Sequence, residues 1–449
     1  MLNIKKFLKY EDLLKTIVVK SLKFLKNKVD YAEVSIKKSI GHNFLIRTGK
    51  LETLELNDDI YISIIVYKNN RKGSASSNNL KWSSIKKTIF TAIEISEQTY
   101  LDKYLIVPKK KYFFSDYVDL KTFYPIMYTL KEILKLTILT ENYSINFDHK
   151  IFNSEGSNFY SSNSIFVFGN TYNIIKSYKT SIYFLSISVL AKNKSSVKSN
   201  FNYTLSRNFN TLDKPKKIGE KCSKMVLKKL NSKKIISQKI PVIFSKEISN
   251  SLFKHLFYAI QGVNVYKKST FLLNFLNKKI FPSWLNIFEN SQLLGGLGSR
   301  LFDNEGIFSK PKYIIKNGIL KTWLLDNYSS NRLNLKNTGN AGEIYNWIFS
   351  NTLNQKFFFK DLLKKMKTGV IINELMGQGV DINTGNYSRG ASGFWVENSK
   401  IKYPISEITV SGNLKKIYKN IICMSNDTNF KNEILSGSIL VKSANISGL

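Results

Sequence analysis

Three histidines, His42, His149 and His255, are the only imidazoles in the 449-residue chain. Imidazole is the side chain best suited to hold a catalytic metal or carry a proton near neutral pH. His255 falls in an apolar-periodic run, 247–260, whose spacing predicts a helix. A zinc site on a helix needs two imidazoles about one turn apart and a neighbouring carboxylate to activate the bound water. Here Leu256 follows His255, and Ala259 and Ile260 stand where a second ligand would fall. One imidazole cannot hold a catalytic zinc, so His255 is expected to pack or hydrogen-bond. His42 and His149 lie in strand or turn contexts without ligand spacing. The two cysteines, Cys222 and Cys423, form no C-x-x-C pair. No disulfide framework is expected, and Cys423, after two isoleucines, reads as a buried apolar residue. No G-x-S-x-G elbow occurs. The glycine run 294–300 lacks the Lys-Ser/Thr ending of a phosphate-binding loop and is expected to be a tight loop. The carboxylates Asp303, Glu305, Glu397 and Glu407 are scattered, with no acid–base pairing in their spacing.

Binding has a firmer basis than catalysis. The segment 374–414 carries Gly377, Gly379, Gly385, Gly390, Gly393 and Gly412 among apolar strand-formers. Such density implies turns with positive φ, or a main chain that something approaches closely. In a strand-rich unit, an exposed strand edge can accept an extended peptide through backbone hydrogen bonds. Gly377, Gly379, Gly390 and Gly393 would permit that approach, and Tyr387, Arg389 and Trp395 would add aromatic and cationic contacts. The alternative at each single residue is a turn glycine or a core aromatic, so the expectation attaches to the segment.

The elements that must position these residues fall into three units, giving an α+β, multidomain fold. Residues 1–103 read as a small N-terminal α/β domain: a helix at 10–25, strands at 31–35, 43–47 and 60–67, a turn at 69–74 and a helix from Ser83. A linker follows at 105–118, with Pro108 and a lysine run. Residues 119–231 read as a middle α/β domain, with a helix near 126–139, strands at 145–154, 164–168 and 181–191, and a helix at 216–230. Residues 238–449 read as a larger strand-rich C-terminal domain, β-sandwich or barrel-like, opened by the strand 240–244 and the helix carrying His255.

Lysine and arginine number 68 against 32 acidic residues, a net charge of +36. The basic residues are nearly all lysine, spread evenly and accompanied by abundant Asn, Ile, Phe and Tyr, the codon bias of an AT-rich genome. No specific nucleic-acid partner is expected; a dedicated binder would show a steep salt slope. Glu11 and Asp12 interrupt any apolar signal core. The longest apolar stretches are about half the roughly 20 residues of a membrane helix. A cytoplasmic protein without membrane contact is the expectation.

The segment 374–414 resembles the C-terminal signature of the TldD/PmbA proteins, on the PmbA (TldE) side of that pair. Residues 70–77, 168–170, 265–273, 302–306 and 317–323 resemble the same family, so the likeness runs along nearly the whole chain. In TldD-type subunits an H-E-x-x-x-H helix and a later cysteine hold zinc. The resemblance matches those positions to His255, Leu256 and Ile260, with the third ligand near Ser436, so it implies no zinc and no catalytic residues in this chain. It implies a PmbA (TldE)-type subunit of a cytoplasmic TldD–TldE zinc metalloprotease that processes or degrades extended or unfolded peptides, with zinc in the TldD-type partner. The alternative is a metal-free, peptide-binding or regulatory homodimer acting without a TldD partner.

Overall fold

The period-two patterns of the first half build strands much longer than the local segments suggest. The computed structural model describes residues 4–113, 118–126, 128–194, 196–342, 344–353 and 355–448. Helix α1 (Ile4–Leu25) leads to β1 (Tyr31–Arg47) and β2 (Lys50–Lys68). Thr48 and Gly49 join the two strands with positive φ, 50° and 74°, the turn geometry whose twist suits an antiparallel pair. Asn69 and Asn70 (φ 51° and 53°) make a second such turn into β3 (Arg71–Ser77), which precedes α2 (Trp82–Gln98). The strands expected at 31–35 and 43–47 are one strand. The polar stretch between them is paired on both sides, and at Gly41 a Cβ would meet Ser161 O at 2.0 Å.

Helix α3 (Leu130–Ile145) starts at a capping box: Thr129 Oγ1 accepts from Glu132 N–H, and the Glu132 carboxylate accepts from Thr129 N–H. That cap places the helix four residues beyond the expected start at 126, and it takes in Ile145, which periodicity assigns to a strand. The expected linker 105–118 lies partly outside the described residues, at 114–117. Next come β4 (Ile151–Asn170), β5 (Ile175–Lys192), β6 (Val197–Ser206) and α4 (Pro215–Lys229).

Residues 1–103 and 119–231, read from sequence as two units, share one sheet of order β3-β2-β1-β4-β5-β6. The junction is the antiparallel pairing of β1 with β4, from Glu33 opposite Asn170 to Ile46 opposite Ser157. Local pattern sets which face of a strand is apolar, not which distant strand it joins.

The C-terminal unit comprises β7 (Gln238–Phe244), α5 (Ser249–Ala259), α6 (Gly262–Tyr266), β8 (Leu285–Asn290), β9 (Lys312–Lys316), β10 (Ile319–Leu320), α7 (Asn327–Leu333), β11 (Asn346–Asn351), α8 (Phe359–Met366), β12 (Gly369–Met376), β13 (Asn386–Glu397), β14 (Lys400–Asn413), α9 (Leu414–Lys419), β15 (Ile421–Met424), β16 (Ile434–Leu435) and β17 (Ile439–Ser447). Strands β14-β13-β12-β7-β17 follow one another, and β17 returns to β14 through Thr409–Ser447, Val410–Ile446 and Ser411–Asn445. The ring is a closed five-stranded barrel, the barrel-like form expected. Strands β10-β9-β8-β11-β16 form a second, open sheet. Helix α5 packs between them: Leu252, Phe253, Leu256 and Ile260 join Val242 and Phe244 of β7, Val370 and Ile372 of β12, and Leu285 and Ile287 of β8 in one core.

The loop 302–307 docks this unit onto the long sheet. Phe302 lies 6.3 Å from Phe168 and 5.3 Å from Tyr178 between ring centroids. Gly306 (φ 73°) presses onto the Phe168 ring, where a Cβ would come within 2.2 Å. Asp303 holds the loop by accepting from the backbone N–H groups of Glu305, Ile307 and Ala341 at 2.9–3.0 Å. Three carboxylates act on one another at this junction. Burial pushes Glu33 of β1 up to about 7, Lys72 opposing and Asp303 adding to the rise. Burial pushes Asp303 up to about 6 despite its three backbone donors, and raises Glu305 with help from Asp303 and Glu33.

Carboxylates raised in the folded state bind more protons folded than unfolded, so their contribution is complete at low pH and is lost as pH climbs through the raised values. Stability is expected to fall between about pH 4 and 7. Thermal melts should show Glu33→Gln equal to the parent near pH 4.5 and roughly 2–4 °C more stable at pH 8; a parent more stable than the variant at pH 8 would contradict the assignment.

Candidate functional site: the cleft beside helix α5

Antiparallel register brings distant residues onto one face of the long sheet. Lys37 of β1 stands opposite both Tyr61 of β2 and Phe166 of β4; Phe166, Ser164 and Ser162 stand opposite Tyr178, Thr180 and Ile182 of β5. Side chains two apart share a face, so these rows make a floor of aromatic rings, hydroxyls and one ammonium group. Above it lie Asn250, Lys254, Phe257, Tyr258 and Gln261, spaced three and four apart along and just beyond α5, as one helix face requires. The space between is a cleft of about 870 Å³.

Arg207 ties the glycine loop to the floor. Its guanidinium donates to Gly296 O at 3.0 Å, to Leu297 O and to Ser181 O. The loop turns carbonyls toward the cation, and Gly298 N–H donates to Asn346 Oδ1 at 2.9 Å, an arrangement opposite to a phosphate cradle. Among the described residues, Lys37, Lys254, Arg207 and Arg300 face the cleft against one carboxylate, Glu433. The arrangement suits an extended polar chain lying along the sheet. Among the described residues no three His, Cys, Asp or Glu side chains come together as a metal-binding group.

The zinc-helix positions lie on other faces of α5. Leu256 and Ile260 are fully buried. Ser436 is also fully buried and its hydroxyl bonds Ser249 Oγ at 2.8 Å, at the start of the helix. His255 turns toward β13, its ring edge-on to Tyr387 with centroids 6.0 Å apart. Burial, then the charges of Arg389 and Lys254, holds its imidazole down to about 4, so it is neutral at pH 7. A zinc ion at these positions would find one nitrogen donor, two hydrocarbon side chains and a hydroxyl already bonded to another serine; they do not fit it. His42 is buried on β1, with Nδ1 3.2 Å from Tyr128 OH, while His149 is exposed beside Asp148. Cys222 and Cys423 are buried free thiols, both pushed up to about 11 by burial.

The segment chosen from glycine density lies elsewhere: none of Gly377, Gly379, Tyr387, Arg389, Gly390, Gly393 and Trp395 lines the cleft. From Gly390 to Val396 strand β13 pairs with β12 on one side and β14 on the other, so over that length it has no free edge for an added strand. The close approach that its glycines allow is by the chain's own backbone. A Cβ on Gly393 would stand 1.8 Å from Ile371 O, and one on Gly379 would stand 2.0 Å from Ser388 O. Gly390 has ordinary contact with Met376, and Gly377 (φ 75°) opens to solvent. Trp395 stacks on Tyr403 at 6.4 Å, and Tyr387 lines a separate cavity of about 400 Å³.

Residues 237–448 match the profile of the PmbA/TldA metallopeptidase C-terminal domain, and residues 32–96 that of PmbA/TldA metallopeptidase domain 1. The chain is 45% identical over 431 residues to the Metalloprotease PmbA homolog of Buchnera aphidicola subsp. Acyrthosiphon pisum (strain APS), covering 96% of each. This chain belongs to the PmbA/TldA metallopeptidase family. It is 41% identical over 436 residues to the Metalloprotease PmbA of Escherichia coli O157:H7, covering 97% of this chain and 96% of that one. The solved structure of TldE from Thermococcus kodakarensis superposes with a TM-score of 0.81 at 16% identity, over 96% of this chain and all of that one; the family fold persists where sequence has diverged. No described helix is long and apolar enough to cross a membrane.

Sequence reasoning missed the cleft floor of this PmbA/TldA-family chain because its residues are far apart and ordinary in type. The signal that could have found them is the row Tyr160, Ser162, Ser164, Phe166: polar and aromatic groups alternating on one face of a strand. The glycine analysis gives a direct test. Gly393→Ala should cost about 3 kcal/mol by forcing β12 away, and Gly377→Ala about 1 kcal/mol for its left-handed backbone alone. Chemical denaturation checks the order; equal losses would contradict it.

Proposed function

We propose that this chain is the PmbA (TldE)-type, non-catalytic subunit of a cytoplasmic TldD–TldE zinc metalloprotease that processes or degrades extended or unfolded peptides, with the zinc in the TldD-type partner. The observation that carries this reading is the filling of the zinc-helix positions by core: Leu256 and Ile260 are fully buried among the barrel residues, and Ser436 is bonded to Ser249. The likeness to PmbA proteins from two bacteria supports the choice of subunit. The cleft supports a peptide ligand, since its floor offers alternating rings and hydroxyls with the repeat of an extended chain.

A surface for the partner is present on β2. Over 50–61 this strand pairs only with β1, because β3 begins its pairing at Ile62. Leu51, Leu54 and Leu56 are 45%, 42% and 67% exposed there, an unprotected edge of the kind folded proteins normally cover. The same stretch holds Glu52, Glu55, Asp58 and Asp59 in a chain of net charge +36. An acidic, leucine-bearing edge suits a partner surface that carries basic and apolar side chains, and like charges oppose pairing with another copy of the same edge.

Purified alone, the chain should show no chelator-sensitive peptidase activity, and addition of a TldD-type subunit should produce it. Leu56→Lys should weaken association with that subunit about tenfold, roughly 1.4 kcal/mol, as read by analytical ultracentrifugation. Chelator-sensitive cleavage by the chain alone would refute the proposal. A stable, metal-free homodimer that ignores the TldD-type subunit would favour the regulatory alternative.

A further inference from the structure

Three hydrogen-bonding atoms at the junction of α5 and β13 are buried without a partner: His255 Nε2, Tyr387 OH and Arg389 Nε. Buried polar groups in folded proteins are satisfied, and each orphan costs free energy comparable to a lost hydrogen bond. The three belong together. Tyr387 and Arg389 are two apart on β13 and share a face; the Tyr387 ring meets His255 edge-on; and the Arg389 charge acts on both His255 and Tyr387. Tyr387 is only 1% exposed, so its hydroxyl is held in place with nothing to bond. His255 and Arg389 keep partial exposure.

The character of the three atoms indicates the missing ligand. Arg389 Nε–H can only donate, and Tyr387 OH and an Nε2–H tautomer of His255 donate as well. The charges acting on His255 are those of Arg389 and Lys254, and the charge acting on Tyr387 is that of Arg389. Donors gathered around positive charge call for an anion with several lone pairs, and a carboxylate bonded to an arginine and a phenol is among the stronger such pairings. The glycine loop brackets this place: Ser388 N–H donates to Gly379 O at 2.7 Å, and Val380 bridges to Tyr387.

We propose that His255, Tyr387 and Arg389 form a carboxylate-binding site. The carboxylate is the C-terminal group of a peptide or an acidic side chain within one. The site does not depend on the chain being a protease subunit.

The test uses the full chain and three N-acetylated peptides, titrated by calorimetry: tetra-alanine with a free C-terminus, the same peptide amidated, and an amidated peptide with one glutamate. Binding of the free acid at least tenfold tighter than the plain amide identifies a C-terminal carboxylate; tight binding of the glutamate amide identifies a side-chain carboxylate. Arg389→Gln and Tyr387→Phe should each weaken the preferred peptide five- to tenfold. Tyr387→Phe should also leave the free protein as stable as the parent or more so, since its hydroxyl bonds nothing there. Equal binding of all three peptides, no saturable binding, or binding indifferent to both substitutions overturns the proposal.

Discussion

The packing of helix α5 into the C-terminal barrel sets the terms for the rest of the molecule. Its apolar face, Leu252, Phe253, Leu256 and Ala259, is stable only when enclosed. The barrel encloses it on one side and the strands β8 and β11 on the other, with Phe253 4.4 Å from Phe349 between ring centroids. Each fully buried Leu, Ile or Phe contributes about 1.5–3 kcal/mol, so Leu256 and Ile260 are structural posts whose replacement by polar donors would open the core. Closure of β17 onto β14 completes that enclosure and removes the strand edges that an unclosed sheet would expose.

With α5 held, its one polar face is free to roof the cleft. The distance from roof to floor is set by a second contact, the docking of the loop 302–307 against Phe168 and Tyr178. Glycine at 306, pressed onto the Phe168 ring, and the Asp303 side chain, holding three backbone N–H groups, fix the shape of that loop. The buried carboxylates around it show that this junction accepts an electrostatic cost for shape. The cleft, the anion-ready cluster and the acidic β2 edge then divide the molecule into three surfaces of different chemistry, disposed around one rigid helix.

Much of this was legible in the chain itself. The apolar spacing around His255 marked the helix, and Leu256 and Ile260 excluded a zinc pair before any coordinates; both proved to be core. The barrel-like character of the C-terminal unit followed from its short strands and glycine turns. Pairing was hidden: nothing local in Lys37–His42 or Tyr160–Phe166 tells that β1 and β4 meet and fuse two expected units into one sheet. The same gap hid the cleft floor. Gly379 and Gly393 signal a close approach, and sequence could not tell a ligand's backbone from that of Ser388 or Ile371. Tyr387 and Arg389 drew attention as aromatic and cationic contacts, while their link to His255 needed the fold.

The central claim is that the zinc-helix positions of this chain are core and hold no metal. Elemental analysis of the purified assembly with a TldD-type subunit addresses it most directly, by counting zinc per pair of chains. One zinc per pair, with none on this chain when it is purified alone, is the result predicted. Two per pair, or stoichiometric zinc on the isolated chain, would contradict it.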